Sequence, residues 1–137
     1  MAISKSRAVI ITGARIVMGA IFLVFGLNFF LHFLPNSSQP EGKAAAFLGG
    51  LFQSGYIFPL IKVIEVACGI LLLMNRYIAL VLIILMPISI NILLFHSLLE
   101  PGSMPILISL LIIVAQLYLA WSYRYYYRQL FVAKPAL

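Results

Sequence analysis

Residues 58–70 read FPLIKVIEVACGI, an apolar run of bilayer-spanning character with Lys62 and Glu65 near its middle. On insertion scales each charge costs about 2.5 to 3.5 kcal/mol at that depth. The two residues are spaced i, i+3, so on a helix they share a face and neutralise each other. A pair of apolar residues is usually as stable or more so. The pair therefore either fixes helix register or leaves the Glu65 carboxylate to serve a ligand.

Cysteine chemistry is narrow. Cys68 is the only thiol, which removes CxxC redox chemistry and intramolecular disulfides. No base well placed to activate it stands nearby in sequence, and it reads as a small packing residue. His32 and His96 raise bis-histidine haem or a metal, but two histidines with no Cys, Asp or Glu close by make a poor ligand set. The expectation is no metal, with haem the lesser of two cofactor readings.

Any such side chain must be positioned by elements suited to lipid. Of the 137 residues 64% are hydrophobic and 9% charged, with a mean hydropathy of +1.15. Soluble domains run near half apolar and a quarter charged. Four apolar stretches, at about 8–34, 56–74, 77–98 and 105–123, each meet the length of about 18 to 20 residues needed to span. The expected fold is an all-α, integral-membrane four-helix bundle in a single domain covering residues 1–137. PNSSQPEGK at 35–43, NR at 75–76 and EPG at 100–102 are the breaks, and AAAFLGGLF in the first loop suits a short interfacial helix. The run after Lys5 and Arg7 is much longer than a signal-peptide core of about 7 to 15 residues and has no small-residue cleavage site behind it. The first helix is expected to persist.

Positive charges set the orientation. Lys5, Arg7, Arg76, Arg124, Arg128 and Lys134 fall on the side that both termini share, whereas Glu41, Lys43 and Glu100 fall on the other. Both termini are therefore expected in the cytoplasm. Trp121, Tyr123, Tyr125, Tyr126 and Tyr127 form an interfacial belt at the same end. The net charge of +6 is a topology signal and a contact for anionic lipid. The basic residues flank spans instead of forming a stripe, which argues against nucleic acid as a partner.

Depth gathers the candidates. At about 1.5 Å per residue from the outer helix ends, Asn28 lies about 9 Å down, Lys62 about 9 Å, Glu65 about 13 Å and Asn91 about 10 Å. His32 and His96 lie about 3 Å down, above that layer. Asn28 and His32 are i, i+4 on one face; Asn91 and His96 diverge by about 140° on an ideal helix, so the kink expected at Pro87 would have to bring them together. Membrane-embedded polar side chains face a bundle interior or a wet cavity. The same residues could instead clamp helices, at about 0.6 kcal/mol per hydrogen bond.

FGLNFFLHFLP (25–35), SGYIFPLIKVIEVACGILLLMNRY (54–77) and PISINILLFH (87–96) resemble the DoxX family of small four-helix membrane proteins, over about residues 12–131. Asn28, the Ser54–Gly55–Tyr56 turn, Glu65, Asn75, Arg76, Pro87, Asn91 and His96 match its pattern; Lys62 does not belong to it. The resemblance implies a multi-pass protein of the bacterial inner membrane, with some relatives in quinone-reducing thiosulfate oxidoreductases or in complexes linked to oxidative stress. Two functions stay open. One is a redox-associated subunit, partner to a membrane oxidoreductase, whose outer-half cavity takes a quinone-like or other small apolar molecule on Asn28, Glu65, Asn91, His96, His32 and Lys62. The other is a noncatalytic scaffold, such as a homodimer, whose polar layer only clamps helices. Transport is a weaker third, since four spans lack the two-halved repeat of many transporters.

A reporter fused after Lys134 is expected to report cytoplasm, and one inserted at Glu41 the outer side. The reverse pattern contradicts the charge argument.

Overall fold

The computed structural model describes residues 3–35 and 39–134, and among these every regular element is helical. Asn36, Ser37 and Ser38 of the expected first loop lie outside the described residues. The elements run α1 (Lys5–Leu31), α2 (Gly42–Gln53), α3 (Ile57–Leu73), α4 (Ile78–Leu94) continued by a π-helical turn (Phe95–Leu99), α5 (Ser103–Ser122), and a 3₁₀ segment (Arg124–Phe131). Three of these, Lys5–Leu31, Ile78–Leu99 and Ser103–Ser122, are long and apolar enough to cross a membrane. α2 and α3 pass the same test only together, and they meet at an 89° bend. The short helix expected around AAAFLGGLF is α2.

Helix α1 packs against α3 and α5, and α4 packs against the same two. Met18, Phe22, Leu72, Val81, Leu82, Leu85 and Leu119 fill the centre. The outward faces stay apolar: Val9, Leu60, Leu107 and Val114 are all exposed, while Arg15, Glu65, Ser89, Ser109 and Gln116 are buried. Polar groups inside and aliphatic groups outside is the distribution that lipid demands and water does not. The chain is compatible with a multi-pass membrane protein.

The α1–α3 contact is made by missing side chains. A Cβ on Gly69 would stand 2.8 Å from the Leu23 amide nitrogen and 2.9 Å from the Gly19 carbonyl oxygen. One on Gly26 would stand 2.8 Å from Val66 Cγ2. Where lipid tails are as apolar as the helices, close backbone approach supplies the packing that drives association.

Several helix ends are closed by specific groups. Ser4 Oγ accepts from the Arg7 N–H at 3.3 Å, so α1 starts earlier than hydropathy implies. It also ends earlier: His32 turns left-handed at φ 51°, and Asn28 Oδ1 accepts from the Leu34 N–H at 2.8 Å. At the end of α3, Asn75 is left-handed at φ 57°; its N–H reaches the Leu72 carbonyl at 3.2 Å and the Arg76 N–H reaches the Leu71 carbonyl at 2.9 Å. Arg15 of α1 is buried there, donating to the Leu72 carbonyl and, at 3.1 Å, to that of Leu73. At the bend, Ser54 Oγ donates to the Leu51 carbonyl at 2.7 Å and accepts from the Ile57 N–H at 3.1 Å, and Gly55 takes φ +77°.

Polar contacts between helices cluster toward the termini. Besides Arg15, Gln116 Nε2 of α5 donates to the Leu82 carbonyl of α4 at 2.8 Å. The Tyr127 hydroxyl donates to the Ala79 carbonyl at 3.1 Å, and burial pushes its phenol above its ordinary range. α2 is instead held by aromatic rings: Phe52 lies 4.6 Å from Phe58 and Phe47 lies 5.8 Å from Phe95, centroid to centroid.

Gly69→Ala is expected to lower stability in detergent by about 1 to 3 kcal/mol, because backbone and not a flexible tip meets the added methyl. Gly49→Ala, with nothing within 4 Å of the added carbon, should be neutral or stabilising. Equal thermal shifts for the two contradict a glycine-dependent contact.

Candidate functional site

Glu65 sits two turns into α3, with its side chain 3% exposed. Its Oε2 accepts from Lys62 Nζ at 2.8 Å, as the i, i+3 spacing predicts. The Lys62 ammonium also lies 5.4 Å from the Phe58 ring centroid. This pair is internal to one helix. It holds no neighbouring helix in register.

Two cavities flank it. The first, about 330 Å³, lies between α3 and α4 and is roofed by Phe47, Leu48 and Leu51 of α2. The second, about 390 Å³, runs between α1, α3, α4 and α5 past Phe22, Phe25, Ile108 and Ser109. Lys62, Glu65, Ile92 and His96 line both. Each cavity falls in the range of small-molecule sites, about 300 to 1,000 Å³, with apolar walls and a few convergent polar groups. The ion pair and His96 are thus the polar seam between two greasy chambers.

The candidates divide accordingly. Lys62, Glu65, Asn91 and His96 come together at the first cavity. Asn91 and His96 share it although five residues apart, and the chain after Leu94 widens into a π turn, closed by the Glu100 N–H on the Phe95 carbonyl at 3.0 Å. Pro87 lies inside α4 and lines the same cavity as Asn91. His96 Nδ1 is buried without a hydrogen bond, with Glu100 Oε2 4.0 Å away.

Asn28 and His32 line neither cavity. The depth argument assumed a helix running to residue 34. It stops at Leu31, so Asn28 lies only about 4 to 5 Å from the last helical residue and its side chain is occupied as a cap. His32 caps the helix in the left-handed conformation, its N–H on the Asn28 carbonyl at 2.9 Å, and its side chain is exposed. Among the described residues no three of His, Cys, Asp and Glu gather as a metal-binding group.

Three features of the site went unread in the sequence. Ser109 lines the second cavity while its Oγ donates to the Pro105 carbonyl at 2.7 Å; a lone serine in an aliphatic run is the signal, and it is a weak one. The roof supplied by α2 follows from the 89° bend. Gly26 lets α1 pass so close that its would-be Cβ is 3.4 Å from that of Glu65.

Comparison with known proteins finds no matching family model, no matching curated protein and no matching solved structure.

Glu65→Gln alone strands the Lys62 ammonium in a mostly apolar wall and is expected to destabilise by about 2 kcal/mol or more. The double variant Lys62→Gln, Glu65→Gln should recover much of that loss. Additive thermal shifts in detergent would show that the two side chains do not pair.

Proposed function

We propose that this chain is a DoxX-like, four-span bundle of the bacterial inner membrane with cytoplasmic termini. Its role is that of a redox-associated subunit that holds a quinone-like or other small apolar molecule beside the Lys62–Glu65 pair. In this reading α3 is the second span, short at about 26 Å, and α2 lies along the outer surface at its 89° bend. The charge asymmetry between the two ends, Lys5, Arg7, Arg76, Arg124 and Arg128 against Glu41, Lys43 and Glu100, supports the orientation. The matching residues at 54–56, 65, 75–76, 87, 91 and 96 support the family resemblance.

The observation that carries the ligand reading is a buried carboxylate on the shared wall of two apolar cavities, with its partner on its own helix. A helix clamp needs polar bonds between helices. Among the described residues none joins Asn28, Glu65, Asn91 or His96 to another helix, and the interhelical bonds lie instead at Arg15, Gln116 and Tyr127. That difference favours a site over a clamp.

The residues present fit a quinone. The Lys62 ammonium, the Asn91 amide and a His96 N–H are donors for ring oxygens, and Ile61, Ile88 and Ile92 offer apolar surface for ring and tail. A quinone bound there would supply a two-electron carrier within the membrane. Glu65 pairs with Lys62 at the cavity wall, and a carboxylate at the seam is a group that can accept a proton. Phe47, Leu48 and Leu51 of α2 cover the first cavity on that side.

Protein extracted with its native lipids is expected to carry a small apolar molecule, measured by solvent extraction and mass spectrometry. The stable Lys62→Gln, Glu65→Gln variant should retain about tenfold less, the equivalent of one charge-assisted hydrogen bond. A stable double variant that keeps its ligand and complements a deletion strain contradicts the reading.

A further inference from the structure

At the end carrying both termini, three arginines surround one hollow. Arg7 of α1, Arg124 and Arg128 line a cavity of about 810 Å³ together with Ile3, Ile11 and Tyr125. Among the described residues the ion pairs are Lys62–Glu65 and His96–Glu100, so none of the three arginines has a carboxylate partner. Arg124 is held in place: its Nη1 donates to the Trp121 carbonyl at 2.9 Å, and its guanidinium lies 4.8 Å over the Trp121 ring. The 3₁₀ segment that presents Arg128 is tied to α4 through Tyr127 and the Ala79 carbonyl at 3.1 Å.

Like charges converging on one concave site repel unless an anion sits among them, and the guanidinium fork matches phosphate oxygens two at a time. Ile3, exposed just before α1, and Ile11, half-buried on α1, line the same hollow and offer apolar surface for the start of an acyl chain. Trp121 and Tyr125 are exposed at the same end, and Trp and Tyr are the residue types enriched at headgroup depth. The geometry points to a binding site for the phosphate diester of an anionic glycerophospholipid, formed by Arg7, Arg124 and Arg128. This site uses none of the residues of the Lys62–Glu65 cavities, and its test is independent of what those cavities hold.

Native mass spectrometry of the detergent-solubilised protein, titrated with phosphatidylglycerol, phosphatidylcholine or inorganic phosphate, tests it. The wild type should bind phosphatidylglycerol at least about tenfold more tightly than phosphatidylcholine, a readout that needs no variant. Arg7→Gln with Arg128→Gln should weaken phosphatidylglycerol about thirtyfold. Both side chains are exposed, so the fold is kept. Lys5→Gln with Arg76→Gln, two charges at the same end but outside the hollow, should weaken it less than about threefold. Equal binding of the two lipids, equal weakening by the two double variants, or displacement of the lipid by millimolar inorganic phosphate would each overturn the assignment.

Discussion

The rest of the arrangement depends on how closely α1 can approach α3. Gly19, Gly26 and Gly69 remove the atoms that would hold the two backbones apart. The approach is tight at both ends of the contact: near Gly69 it brings Arg15 to the last carbonyls of α3, and near Gly26 it brings α1 over Glu65. A bilayer offers helices little hydrophobic reason to associate, so dispersion and a few polar contacts must do so. Burying Glu65 on that side leaves its carboxylate only Lys62 and the cavities to face. Position and charge of the seam therefore follow from glycines that carry no chemistry.

The two halves of the molecule solve different problems. Toward the termini, polar groups meet carbonyls across helices: Arg15 on α3, Gln116 and Tyr127 on α4. These bonds fix the helices relative to one another. Toward α2, interhelical contacts are aromatic and aliphatic, the polar side chains are satisfied within their own helix or not at all, and space remains. The half with interhelical polar bonds thus anchors the half that contains the cavities.

Much of this was legible in the sequence where one-dimensional signals suffice. Hydropathy located the long helices to within a few residues, the AAAFLGGLF patch located α2, and the i, i+3 spacing gave the ion pair. What failed was decided by side chains acting on backbone. Asn28 is a polar residue in an apolar helix, and nothing in its neighbours says that its amide will cap Leu34; hydropathy therefore carries α1 to residue 34, whereas it ends at Leu31. Arg15 is a lone basic residue in an apolar run, and the carbonyls that bury it belong to a helix 57 residues away. The glycine contact was invisible for the same reason, since a small residue is informative only beside its partner.

The central claim is that the space around Glu65 is a ligand site and not a gap between poorly packed helices. Its most direct test is an experimental density map of the protein in native-lipid nanodiscs, resolved well enough to see side chains at the level of Glu65. The account predicts elongated non-protein density in one or both cavities, ending against the Lys62–Glu65 pair. Cavities closed by repacking of α2, or containing only ordered water, would contradict it.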